Sequence, residues 1–115
     1  MVTLEDVRRL ALPLPGTYEA LIGDRIKFKV GRIVYLSMAP DEQSMGFAYP
    51  KEERNALIAS DPEKFFLPIP SDLRYNWVRV WLAELDLAEL SELVPDAWAM
   101  VVSKRVAAAY FDGRS

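Results

Sequence analysis

The sequence predicts an α+β fold: a two-layer α/β domain whose mainly antiparallel five-stranded sheet carries its helices on one face. Three observations predict it. Helical periodicity marks both ends of the chain, alternating apolar and polar residues fill positions 17–49, and the turns between the alternating runs are short. A parallel crossover needs roughly a dozen residues, so those turns select antiparallel hairpins. At 115 residues, 51% apolar and 27% charged, the chain has room for one core and reads as a single domain over 1–115.

Each element follows from its residues. Thr3 opens an N-terminal helix with Asp6 three positions on, a weak form of the capping box, and Leu4, Val7, Leu10 and Ala11 give it one apolar face. Pro13-Leu14-Pro15-Gly16 stops it. A four-stranded meander comes next: Thr17–Ile22, Arg25–Val30, Ile33–Ala39 and Ser44–Tyr49, separated by Gly23-Asp24, Gly31-Arg32 and Pro40-Asp41-Glu42. Pro50 introduces a second helix over Lys51–Ser60, with Leu57 and Ile58 inward. Asp61-Pro62-Glu63 begins a short helical turn expected to carry Phe65 and Phe66 inward, and Leu67–Tyr75 is a loop. Asn76–Leu82 alternates again as the fifth strand. Asp86 caps a long closing helix through about Val102, kinked or broken at Pro95, before a short helical tail to Tyr110.

Composition excludes whole classes of chemistry. The chain has no cysteine and no histidine, which removes disulfides, thiolate nucleophiles, imidazole bases and every common zinc site. The charged N-terminus lacks the apolar core of a secretory signal, and no apolar run approaches the ~18 residues of a membrane span. A cytoplasmic protein without membrane contact is expected. Net charge is −3, so any attraction to nucleic acid must come from local placement of cations.

An ordered series of segments resembles the MmcQ/YjbR family of small bacterial proteins across nearly the whole chain. It comprises Val7-Arg8-Arg9-Leu10-Ala11-Leu12, Leu14-Pro15-Gly16 with Glu19, Phe28-Lys29-Val30-Gly31, and Lys51-Glu52-Glu53-Arg54 with Leu57. Asp61-Pro62-Glu63 with Phe65-Phe66, Arg74 with Trp77-Val78, and Ala97-Trp98 followed by Lys104-Arg105 complete it. The resemblance implies a fold of the YjbR/CyaY-like, secretion-chaperone-like type and the family's label of DNA-binding protein. In one place the chain departs from the family: where members often carry a His-Trp pair, Ala20-Leu21-Ile22-Gly23 stands here.

Strand alternation gives the candidate site. In Arg25–Val30, a period of two puts Ile26, Phe28 and Val30 on the core face and Arg25, Lys27 and Lys29 on the other. In Trp77–Leu82 it buries Val78, Val80 and Leu82, leaving Trp77, Arg79 and Trp81 outward with Arg79 between two rings. Tyr35 is expected to join this open face, and Arg74 and Tyr75 to flank it from the loop before the last strand. Cations interleaved with flat rings suit single-stranded nucleic acid, through phosphate attraction and base stacking. The same pattern also suits a solvated sheet face, or aromatics covered by the terminal helix or by a second subunit. A homodimeric or adaptor interface is therefore the alternative to DNA binding.

Other motifs carry less. Asp86, Glu89, Glu92 and Asp96 form a helical stripe, but a metal needs oxygens converging from several directions, so a solvated helix side is expected and no metal or cofactor. Glu52-Glu53 and Asp41-Glu42 diverge as sequence neighbours, and Ser103-Lys104 cannot face each other on a helix. No phosphate-binding glycine spacing occurs. The expected class is a non-catalytic binding module.

Overall fold

The computed structural model describes residues 1–113, so positions 114 and 115 of the expected domain lie outside the described residues. Helix α1 (Leu4–Ala11) is followed by strands β1 (Thr17–Ile22), β2 (Arg25–Val30), β3 (Ile33–Met38) and β4 (Ser44–Ala48). Helix α2 (Arg54–Ser60), strands β5 (Phe65–Phe66) and β6 (Trp77–Trp81), and helices α3 (Leu87–Ala99) and α4 (Lys104–Asp112) follow, with short 3₁₀ helices at Pro70–Asp72 and Leu82–Glu84. All strand pairs are antiparallel, in the order β1-β2-β3-β4-β6-β5. The sheet has six strands where five were expected. The sixth is Phe65–Phe66, which pairs with Val80 and Arg79 instead of forming a helical turn.

The register defines two faces. Phe28, Leu36, Phe47 and Val78 lie opposite one another across β2, β3, β4 and β6, and Met38, Met45 and Val80 continue the row beside them. All are buried and join Leu90, Val94 and Trp98 of α3 and Leu4, Val7 and Ala11 of α1 in one core. Two polar ties fasten the helices to this layer. Arg8 grips Glu19 of β1 with a two-pronged contact, 2.9 Å on each prong, and the Trp98 indole N–H donates to the Pro15 carbonyl at 2.9 Å.

Helix ends follow side-chain chemistry. Thr3 and Asp6 form the full reciprocal capping box on α1, and Asp86 and Glu89 do the same on α3. Pro95 neither breaks nor ends α3, which runs on to Ala99; the interruption falls at Met100–Ser103, where Ser103 caps a separate α4. Helix α2 starts at Arg54, later than expected, because Lys51–Glu53 form a turn.

Candidate functional site

The face turned away from α1 and α3 carries a second row. Lys27, Ser37, Gly46, Arg79 and Phe66 stand opposite one another across β2, β3, β4, β6 and β5. Small residues occupy its centre and long cations flank them. Three inter-strand steps of about 4.8 Å separate the Lys27 and Arg79 backbones by about 14 Å. The result is a cleft of about 770 Å³, whose lining includes Arg25, Lys27, Arg32, Arg79, Tyr75 and Trp77.

The floor is built by a glycine. A Cβ on Gly46 would stand 2.5 and 2.6 Å from Cε2 and Cζ2 of Trp77, so the indole lies directly over this residue and any side chain there would displace it. The ring leans into the cleft instead of standing beside Arg79.

Among the described residues, none of Arg25, Lys27, Arg32 and Arg79 forms an ion pair; the pairs present involve Arg8, Arg9 and Lys64. Arg79 is held by a hydrogen bond from Nη2 to Ser44 Oγ at 2.9 Å. Burial pulls its pKa below the ordinary arginine value and the charge of Arg25 adds to the effect, against opposition from Asp41 and Asp72. Two like charges thus share a partly desolvated cleft, and an anion placed between them relieves both. Among the described residues, Asp72 is the one carboxylate on the lining.

The loop that bears Tyr75 and leads into Trp77 of β6 is clamped from below by a residue the sequence did not single out as functional. Arg54, only 9% exposed, donates through Nη2 to the Leu73 carbonyl at 2.9 Å. Its Nη1 donates to the carbonyls of Tyr75 at 3.2 Å and Trp77 at 3.1 Å. Lys51 adds its ammonium on the Arg74 carbonyl and its backbone N–H on Asn76 Oδ1.

Several expected site residues stand elsewhere. Tyr35 is fully buried, with its hydroxyl 2.7 Å from Thr17 Oγ1 on the helix-covered side. The cause is a β-bulge: Phe28 faces Leu36, but Lys29 faces Val34, so Tyr35 is the extra residue and turns into the core. Lys29 points over β1, with its ammonium 5.8 Å from the Tyr18 ring centre, outside the cleft. Arg74 pairs with neither Asp72 nor Asp86 among the described residues; it lies along the Tyr75 ring, 4.8 Å from its centre, and donates to its hydroxyl at 2.8 Å.

Arg79 meets Phe66 at 4.8 Å, not two tryptophans. Phe66 also stacks on Trp81 at 4.6 Å between centres, and Trp81 remains 43% exposed at that edge. Phe66 and Phe65 cannot both point inward because successive strand residues alternate: Phe65 packs on the core and Phe66 lies on the cleft face. Arg32 and Gly46 were also missed as parts of the site. The glycine inside an alternating run was a readable signal of close approach, whereas Arg32 sits in a turn and carried none.

The family model described as YjbR matches residues 12–100. The chain belongs to the YjbR family. A solved relative in fold is the crystal structure of Deinococcus radiodurans protein DR2400, with family-model domain DUF419. Its likeness covers 91% of this YjbR chain and 82% of that one, with a TM-score of 0.77 and 22% sequence identity, and speaks for the fold alone. No curated protein matches the chain. In this YjbR domain, no helix among the described residues is long and apolar enough to cross a membrane.

Proposed function

We propose that this YjbR protein is a non-catalytic nucleic-acid-binding module that takes a single strand of DNA in the cleft on the sheet face turned away from α1 and α3. One observation carries the reading: four cations without carboxylate partners among the described residues line a single cleft with the rings of Trp77 and Tyr75. Phosphates answer the cations and unpaired bases stack on the rings. A duplex hides its base faces, so single strands are preferred.

The test is a fluorescence-anisotropy titration of a labelled oligothymidine of about twelve nucleotides, and of a duplex of equal length, over a range of salt concentrations. With four phosphates neutralised, log affinity for the single strand falls against log salt with a slope of about −3. Arg79→Ala lowers that slope by about 0.7. Trp77→Ala weakens binding by about 1–3 kcal/mol and leaves the slope unchanged. A flat salt dependence, or equal binding of duplex and single strand by wild type and Trp77→Ala, would defeat the reading.

A second reading, self-association, is supported by the exposed Trp81 stacked on Phe66 at the β6–β5 edge. A tryptophan-centred protein interface has no steep salt dependence.

A further inference from the structure

A second cavity of about 460 Å³ opens between α2 and α3, adjoining the cleft at Ala48 and Met100. Its floor is aromatic. The Phe47 ring meets Tyr49 edge-on at 6.0 Å and Phe65 at 6.2 Å, and Leu57 of α2 closes one wall. The other wall is α3, which presents Glu89, Glu92 and Asp96.

These carboxylates are not equivalent. Glu89 is committed to the helix cap and to an ion pair with Lys64. Glu92 and Asp96, one helical turn apart, form no ion pair among the described residues. Burial, with Glu92 adding its charge, holds the Asp96 carboxyl above its ordinary pKa. Glu53 acts on Tyr49 in the same sense, behind burial. An apolar pocket of small-molecule size thus has a negative rim with no lysine or arginine on its lining among the described residues.

We propose that this cavity is a binding site for a small organic cation: an ammonium, primary or quaternary, carried on an apolar or aromatic body. The body fills the space over Phe47, Tyr49 and Phe65. The charged head sits at Glu92 and Asp96, and the aromatic floor adds cation–π attraction. The site meets the nucleic-acid cleft at Ala48 and Met100, which line both, but its occupant has the opposite charge.

The test uses three isosteric probes, 4-phenylbutylamine, 4-phenylbutanol and 4-phenylbutyrate, titrated into the ¹⁵N-labelled protein and followed by amide NMR shifts. The amine is expected to move Leu57, Phe65 and Leu93 while Lys27 and Gly46 stay still, with the alcohol weaker and the acid weakest. The double variant Glu92→Gln, Asp96→Asn, whose isosteric replacements preserve the fold and hence the dispersed spectrum, is expected to lose about tenfold in amine affinity and to keep the alcohol's affinity. The proposal is overturned if the alcohol or acid binds as well as the amine, if the double variant binds the amine unchanged, if the shifts map outside the cavity, or if no shift appears by about 10 mM probe.

Discussion

The Tyr35 hydroxyl is shut inside the helix-covered layer with Thr17 Oγ1 at 2.7 Å. Burial pushes its pKa from 10.0 up to about 12, against a smaller opposing effect of the Thr17 hydrogen bond. The folded protein therefore holds this proton more tightly than the unfolded chain does. That preference contributes fully below about pH 10 and is lost as pH rises through about 12, a swing of about 3 kcal/mol. Tyr35→Phe should cost about 1 kcal/mol at neutral pH, where only the hydrogen bond is lost. It should also flatten the alkaline decline, as read by urea unfolding at stepped pH values. A variant that declines as steeply as wild type would place the responsible proton elsewhere.

At the scale of elements, the segment Leu73–Trp77 is held in shape by a side chain that never reaches the cleft. The Arg54 guanidinium bridges three carbonyls, and a single ammonium cannot span the same set. Arg54→Lys should therefore destabilise the fold by about 2 kcal/mol or more. It should also speed amide exchange at residues 74–77 and weaken oligonucleotide binding, although the charge at position 54 is kept. Unchanged exchange there would mean that the loop holds itself.

The same elements show what the sequence could and could not reveal. Alternation alone put Phe28, Val78, Val80 and Leu82 inside and Arg25, Lys27, Trp77 and Arg79 on the other face, because a period of two is a property of side chains. The bulge opposite Phe28 and Lys29 is a property of two paired backbones, so Tyr35 was out of reach. Strand β5 is two residues long and exists only because β6 lies beside it. Arg54 binds carbonyls, which every residue possesses, so no partner in the sequence pointed to it.

Over the whole molecule, charge is divided between two sides. The net charge of −3 hides a cationic cleft on one sheet face and the acids of α3 on the other. Light scattering over a range of concentrations is expected to give the monomer mass for both wild type and Trp81→Asp. A wild-type dimer that Trp81→Asp dissolves would instead give the Phe66–Trp81 edge to a protein partner.

Strand order has a consequence in time. The strands β1 to β4 pair with their sequence neighbours through short turns, while β4 meets β6 only after the chain closes over residues 49–76. Near contacts form fast and distant ones wait for loop closure. Lys27 therefore arrives with the early meander and Arg79 with the late strand, and until they meet, the outer edge of β4 stands unpaired with Met45 and Phe47 beside it. A nascent chain halted at that stage has one bank of the cleft and an adhesive edge. Pairing with β6 completes the cleft and removes that edge in one step.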